Sequence, residues 1–143
     1  MKRSAALAPL SRDHHHALVV ASALTRAGEG TCYSSAMLFA DFIADHEARH
    51  FALEESLLLP TLPPGERARL LAERMRADHE HLRETAGALR QGRLQPTVEL
   101  TASLGARLRA HVQLEERELF PYIEQSLDAA SLEQLGMQLE AGT

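Results

Sequence analysis

One eleven-residue phrase occurs twice in the chain, and this repeat constrains the fold more than any other feature. Residues 50–60 read HFALEESLLLP and residues 111–121 read HVQLEERELFP, so that six of the eleven positions are identical. In both copies a histidine precedes a glutamate by four residues, which on a helix places the two side chains on one face, a turn apart. Two such pairs on two helices of one bundle are what a pair of metal ions needs.

The length and composition indicate one helical domain. The chain has 143 residues, which is enough for a single domain with a buried core. It is rich in Leu, Ala, Glu and Arg and contains no Trp, a composition that favours helix over strand. The net charge of -5 gives no reason to expect nucleic acid or an anionic membrane as a partner. We therefore expect one domain over residues 1–143.

Several features bear on the compartment. The single cysteine, Cys32, cannot form an internal disulfide, which fits a reducing environment. The N-terminus begins with basic residues but lacks the apolar run of a signal peptide. No stretch approaches the roughly 18 apolar residues that a membrane span requires. These features predict a soluble, cytoplasmic protein.

Glycine and proline residues divide the chain into four long segments, and each segment has a helical period. Apolar residues recur every three or four positions, whereas the alternating pattern of strands is absent. The segment Ser131-Leu132-Glu133-Gln134 resembles a capping box and predicts a short fifth helix. The predicted helices span residues 9–28, 34–59, 64–91, 96–127 and 131–140.

Short connections between long helices make sequential helices antiparallel neighbours. The predicted fold is therefore all-α, an up-down-up-down four-helix bundle with a short C-terminal helix. Pro121 should kink or interrupt the fourth helix, because proline lacks the backbone N–H group. In this topology the second and fourth helices run parallel, so both copies of the repeated phrase can face one centre.

Histidines and glutamates interrupt the apolar stripe of every long helix. A lone histidine on such a stripe is usually a hydrogen-bonded core residue, because ionisable groups are rarely buried without partners. Here all four helices contribute a histidine and two of them add a glutamate at a fixed spacing. Burying so many polar groups is costly, and bound cations would satisfy the imidazoles and neutralise the carboxylates together.

The donor types restrict the metal and the class of bundle. Imidazole and carboxylate without thiolate suit iron, manganese or zinc rather than copper(I). A structural zinc site is tetrahedral and usually contains cysteine, whereas two bridging carboxylates fit a pair of octahedral ions. Ferritin-like proteins use Glu-x-x-His twice, and Glu47-Ala48-Arg49-His50 is a single copy of that pattern. The duplicated signal has the reverse order, which favours a different dinuclear non-haem site.

At these residues the chain resembles the hemerythrin-like family, the HHE cation-binding domains. The resemblance implies a four-helix bundle that holds two non-haem irons, bridged by carboxylates and an oxo or hydroxo group; zinc and manganese are less favoured. It also implies reversible dioxygen binding, or sensing of oxygen, nitric oxide or iron. The motifs that carry it are Asp13-His14-His15, His50-Phe51-x-x-Glu54-Glu55, Asp78-His79-Glu80-His81-Leu82 and His111-x-x-Leu114-Glu115-Glu116.

The resemblance also implies a set of ligands. His50 and His111 would bind terminally, and Glu54 and Glu115 would bridge the two ions. Two alternatives stay open: His15 in place of His14 on the first helix, and Glu116 in place of Glu115 on the fourth. Carried over by position, the ligands are His14, His50, Glu54, His79, His111 and Glu115.

The chain departs from the oxygen-carrying members of the family at one position. Those proteins have a second histidine one turn before His79, where this chain has Met75. A thioether is a poor ligand for iron. His46, one turn before His50, is the candidate replacement; without it a coordination position stays open. Glu47, Glu55 and Glu116 are otherwise expected to be solvated charges.

The sequence therefore supports one main functional hypothesis and two competitors. The first is a di-iron protein that binds or senses dioxygen or another diatomic molecule, and is a binding protein rather than an enzyme. The second is a di-iron oxidase or peroxidase that uses an open coordination position. The third is an interaction bundle that binds little metal.

Overall fold

The computed structural model describes residues 3–143, and these residues form helices without any strand. The all-α prediction is therefore confirmed. The helices are α1 (Ala8–Arg26), α2 (Cys32–Phe42), α3 (Ala48–Leu53), α4 (Glu66–Arg90), α5 (Val98–Leu114), α6 (Phe120–Ser126) and α7 (Ala129–Gly142). Within the described residues no helix is both long enough and apolar enough to cross a membrane.

The four long helices of the bundle are α1, α2 with α3, α4, and α5 with α6. The first packs against α2 and α5, and α2 also packs against α4. The C-terminal α7 lies against α1 and the end of the second long helix. The Asp128 carboxylate caps α7 by accepting a hydrogen bond of 2.7 Å from the Ser131 amide. This helix thus begins before residue 131, where it was predicted to start.

Three π turns interrupt the α-helical hydrogen bonding of the second and fourth long helices. A π turn over Ile43–Glu47 joins α2 to α3, and another over Glu54–Leu58 follows α3. In the fourth long helix a π turn over Glu115–Leu119 joins α5 to α6. Each π turn accommodates one more residue than an α-turn. The residues that follow it therefore face a different direction from the one that a regular helix predicts.

The two prolines of the repeated phrase lie just beyond two of these π turns. Pro60 falls in a 3-10 turn, Leu59–Thr61, that ends the second long helix. Pro121 instead lies in the first turn of α6, which continues to Ser126. Proline has no backbone N–H group to donate to the preceding turn of a helix. The altered hydrogen bonding of the preceding turn means that no donor is needed at the proline position. The interruption predicted at Pro121 is therefore a π turn within a continuing helix.

Two apolar clusters fill the bundle, one on each side of a polar layer. The histidines of the long helices lie at the boundary between the clusters. On α4, for example, Met75 belongs to one cluster and Leu82 to the other, and His79 lies between them. His14 occupies the same place on α1. The hydrophobic core thus holds a layer of imidazole and carboxylate groups near its middle.

Candidate metal centre

Six ionisable side chains from all four long helices meet in this polar layer. Each of them has at most 4% of its surface exposed. They are His14, His50, Glu54, His79, His111 and Glu115.

These side chains form two groups that share both carboxylates. In each group the potential ligand atoms all lie within 4.8 Å of one another. Glu54 and Glu115 belong to both groups, whereas each histidine belongs to one. The first group holds His14 and His50, and the second holds His79 and His111. The cluster therefore has the composition of two adjacent sites with two imidazoles each and two common carboxylates.

The orientation of the carboxylates supports this division. Glu54 directs Oε2 to within 3.2 Å of His50 Nε2, and directs Oε1 to within 3.1 Å of His79 Nε2. Glu115 directs Oε1 to within 3.0 Å of His111 Nε2, and directs Oε2 to within 3.3 Å of His14 Nε2. Each carboxylate thus presents one oxygen to each histidine pair, as a ligand that bridges two cations must do.

The atoms that face this centre lack hydrogen-bond partners. The Nε2 atoms of all four histidines, and all four oxygens of Glu54 and Glu115, are buried without a hydrogen bond within residues 3–143. Native proteins rarely leave so many buried polar atoms unpaired, because each one costs free energy. A pair of cations would satisfy all eight atoms at once. The donor set therefore fits the metal ions that the sequence suggested.

Each of these histidines also contacts a carboxylate through Nδ1, the ring nitrogen that faces away from the centre. Glu116 lies 2.6 Å from His14 Nδ1, Asp13 lies 3.1 Å from His50 Nδ1, and Asp78 lies 2.9 Å from His111 Nδ1. Glu55 is the corresponding partner of His79. When Nδ1 carries the proton and donates to a carboxylate, the Nε2 lone pair is free to bind a cation. Four such pairs fix the ring orientations before any cation binds.

The matched family agrees with this geometry. The family model of the hemerythrin HHE cation binding domain matches residues 6–131. The chain belongs to this family. Comparison with curated proteins and with solved structures gave no match. The family supports cation binding in general, and among the described residues the two His/Glu groups have the geometry for it.

The first two long helices form one half of this HHE domain and the last two form the other. The two halves position the cluster in equivalent ways. In each half an aspartate precedes the first histidine, and the second histidine is followed by a pair of glutamates. The contacts also correspond, because the histidine on the first helix of each half pairs with a glutamate of the other half. The equivalent sets are Asp13, His14, His50, Glu54 and Glu55 in the first half and Asp78, His79, His111, Glu115 and Glu116 in the second.

Two glutamates expected to be solvated charges have a specific role here. Glu55 and Glu116 each accept a hydrogen bond from a histidine of the cluster, so the expectation was wrong. Glu116, considered as an alternative ligand, turns its carboxylate to Nδ1 of His14 and away from the centre. Burial would raise the pKa of Glu116, but its hydrogen bonds with His14 and Ser11 lower it below the usual range. The carboxylate is therefore charged at neutral pH.

The π turn over Ile43–Glu47 explains a second difference from expectation. His46 is exposed and packs beside His16, with ring centroids 5.1 Å apart, so it does not fill the position that Met75 leaves. The extra residue of the π turn directs Glu47 inward instead, with only 3% of its surface exposed. Burial, which disfavours the charged carboxylate, raises the pKa of Glu47 to about 7. The expected solvated role of Glu47 was therefore wrong.

The remaining candidates lie outside the cluster. His15 is exposed on α1, one residue beyond His14, so the structure brings His14 rather than His15 to the centre. Met75 is fully buried in an apolar cluster that also contains Leu10, its counterpart four residues before His14. Neither half thus supplies a third imidazole. The two groups have the same protein donors.

The carboxylates behind the histidines should control metal affinity. Asp78→Ala removes the acceptor of the His111 Nδ1 proton, so that the ring can rotate or change tautomer. We expect the affinity for divalent metal to fall by about 10- to 100-fold, measured by competition with a chelator of known affinity. Asp41→Ala is the matched control, because Asp41 is exposed and pairs with Arg90 away from the centre. Equal affinities of the two variants would contradict this role.

Proposed function

We propose that this protein is a non-haem di-iron protein that binds or senses dioxygen, or another diatomic molecule such as nitric oxide, at the buried His/Glu centre. The observation that carries the proposal is the position of the two carboxylates, each with one oxygen toward each histidine pair. Each ion would have two imidazole and two carboxylate donors. An octahedral ion would then keep positions for a bridging oxygen atom and for an incoming ligand.

The donors permit iron, and membership of the hemerythrin family favours iron over the other metals that they permit. Imidazole nitrogen and carboxylate oxygen without thiolate match non-haem iron. The one cysteine, Cys32, lies at the start of α2 and outside the cluster. Two ferrous ions supply, when bound, the two electrons that a reaction with dioxygen requires. Zinc and manganese are the competing metals.

The surroundings of the centre favour a small ligand over a large substrate. The Phe51 ring stacks on His79 with centroids 4.0 Å apart, and the Phe120 ring stacks on His14 at 5.6 Å. Both phenylalanines are fully buried. Such apolar walls exclude bulk water and protect a reactive ligand from side reactions. The buried position of all six side chains leaves room for a diatomic molecule more readily than for an organic substrate.

Metal loading followed by exposure to air tests this proposal. Chelator-treated protein is incubated anaerobically with Fe²⁺, and in parallel with Zn²⁺ and Mn²⁺, and bound metal is counted after desalting. We expect about two irons per chain and, after air is admitted, a near-ultraviolet absorption band from an oxygen bridge to ferric iron. A chain that retains zinc but not iron, or that retains no metal, would refute the di-iron proposal.

The same samples separate a binding protein from an enzyme. A carrier or sensor takes up dioxygen reversibly, or once per di-iron centre, without further turnover. An oxidase or peroxidase consumes many equivalents of dioxygen or peroxide per centre when a reductant is supplied. An oxygen electrode measures the ratio directly. Multiple turnovers would favour the enzymatic alternative.

A further inference from the structure

A cavity of about 270 Å³ lies beside the centre, between the first and second long helices. Its walls include His50, which belongs to the first His/Glu group, and Asp13, which accepts the hydrogen bond of His50. His16 and His46 line the same cavity and are exposed to solvent. The cavity therefore extends from the protein surface to the edge of the buried centre.

A buried carboxylate without a partner faces this cavity. Glu47 lines it, has 3% of its surface exposed, and forms no hydrogen bond or ion pair through its side chain with any described residue. Burying an unpaired carboxylate is unfavourable, and either a proton or an approaching cation relieves this cost. The position of Glu47 depends on the π turn over Ile43–Glu47, which replaces His46 on the inward face. Arg49 also lines the cavity, and its guanidinium donates a hydrogen bond of 3.4 Å to the Thr143 carbonyl. The carboxylates in the lining, those of Asp13, Asp45 and Glu47, outnumber this one arginine among the described residues, so the cavity is suited to a cation.

Two imidazoles stand at the outer part of the same cavity. His16 from α1 and His46 from the π turn have ring centroids 5.1 Å apart, and neither ring forms a hydrogen bond within residues 3–143. Imidazoles on two helices at this separation can bind one divalent cation together. Within the described residues they form no group with a carboxylate as close as those of the centre, so the pair would hold a cation only weakly. This donor set does not belong to either group of the centre.

Apart from the edge that adjoins this cavity, the centre is shielded from solvent. Its six side chains are 0–4% exposed and lie between two apolar clusters, across which a hydrated cation would lose its water at high cost. A cation that reaches the centre therefore needs a path lined by polar groups. The cavity offers such a path, with His16 and His46 outside, Glu47 farther in, and His50 at its end.

We propose that this cavity is a cation port that loads the centre: a divalent first-row cation binds first at His16 and His46, moves inward to Glu47, and passes beside Asp13 to the group that contains His50. This inference rests on the proposed binding of metal at the centre. The port donors capture the cation and then release it, because the four donors of a His/Glu group bind it more strongly than two imidazoles do. His16 and His46 thus set the rate of loading, and the centre sets the final occupancy.

The double variant His16→Ala/His46→Ala tests the port through the rate of loading. Metal-free protein is mixed anaerobically with Fe²⁺ at limiting concentration, and a chromogenic chelator stops the reaction at successive times by removing loosely held iron. We expect the initial rate to fall about tenfold or more, because the variant loses both imidazole ligands that capture the cation at the surface. The final amount of bound iron should equal that of the unmodified protein. Both histidines are exposed, so the variant should fold normally.

A matched control removes two other exposed histidines. His15→Ala/His81→Ala deletes the same number of imidazoles, and neither residue lines the cavity. Its loading rate should equal that of the unmodified protein. Glu47→Gln keeps the volume of the side chain but removes its charge, and should also slow loading. This second variant tests the inner part of the port independently of the surface histidines.

The outcomes separate the port from the function of the centre. Equal loading rates for the unmodified protein, the port variants and the control would overturn the port and leave the di-iron proposal intact. A lower final occupancy with an unchanged rate would also overturn it, because His16 and His46 would then hold iron at equilibrium. An unmodified protein that binds no iron at any time would refute the proposed function and the port together.

Discussion

Glu115→Ala is expected to abolish binding of both metal ions, from about two per chain to close to none. Glu115 belongs to both His/Glu groups and presents one oxygen to each of them. Its removal leaves both ions with a single carboxylate and removes the bridge between them. His14→Ala, in contrast, should affect mainly one ion, because His14 belongs to one group. Elemental analysis after anaerobic loading and desalting distinguishes the two patterns.

The Glu115→Ala variant should also lose the thermal stabilisation that bound metal provides. A ligand present at about a thousand times its dissociation constant adds about 4 kcal/mol to the free energy of unfolding. Melting curves of the unmodified protein with and without metal should differ accordingly, whereas those of Glu115→Ala should coincide. Glu118→Ala is the control, because Glu118 lies in the same π turn but is exposed. If Glu115→Ala retained two ions, the carboxylate would not be a shared ligand.

Metal binding should become stronger as the pH rises from about 6 to 9, because cations must displace protons from the histidines. Burial disfavours the charged form of His14, but Glu115 and Glu116 outweigh it and raise the pKa of His14 to about 9. Burial likewise opposes the charged form of His111, and Glu115 and Asp78 raise its pKa to about 10. In the metal-free protein both rings therefore carry a second proton at neutral pH, which occupies Nε2 and faces Glu115 in the place that a cation would take. Each proton released changes the apparent binding free energy by about 1.4 kcal/mol per pH unit.

The metal-free protein should show the opposite dependence. A histidine whose pKa is higher in the folded state than its usual value of 6.5 contributes stability that is fully present below pH 6.5. That contribution is lost as the pH rises through about 9 to 10. The melting temperature without metal should thus fall over this range, while the difference produced by metal increases.

Co²⁺ is the suitable probe for the pH series, because it binds imidazole and carboxylate and is less readily oxidised by air than Fe²⁺. Melting curves at pH 6, 7, 8 and 9, each with and without saturating Co²⁺, give both dependences. The unmodified protein and Glu115→Ala are compared under the same conditions. A metal-induced shift that is independent of pH would mean that the centre binds cations without releasing protons, contrary to the raised pKa values.

The sequence predicted the bundle and the inner ligands because both depend on local periodicity. The repeated phrase places His50 with Glu54 and His111 with Glu115 on single helices, and regular helical spacing brings each pair to one face. His14 and His79 lie on apolar stripes for the same reason. All six side chains that were proposed as ligands lie together in the structure. Their role as ligands is still to be tested by the variants above.

The partners of the histidines were not predicted, because they are distant in sequence. His14 and Glu116 are separated by 102 residues, and only the packing of α1 against the fourth long helix brings them together. A signal was nevertheless present: both copies of the phrase contain Glu-Glu, and both Asp13 and Asp78 directly precede a histidine. In each Glu-Glu pair the first glutamate faces the centre, whereas the second accepts a hydrogen bond from Nδ1 of a histidine of the cluster.

The error at His46 and Glu47 has a different physical cause. The helical stripe assumed 3.6 residues per turn from Phe39 to His50, whereas the π turn over Ile43–Glu47 uses an additional residue. This additional residue rotates His46 outward and Glu47 inward. The sequence favoured His46, because it lies one turn before His50 on the apolar stripe, and indicated a solvated role for Glu47. The distinction depends on packing against neighbouring helices, which the local pattern does not contain.

The equivalence of the two halves has a consequence for how differences between the two ions arise. The protein donors of the two groups are of the same kind and come from corresponding positions, so the two ions would have equivalent protein ligands. What distinguishes them is the setting: the cavity beside Asp13 has His50 and His46 in its lining, whereas the corresponding cavity beside Asp78 has Arg74 and Arg107 in its lining and not His111. Any difference in reactivity between the two ions would then arise from the surrounding helices. Substitutions away from the ligands could transfer that difference from one half to the other.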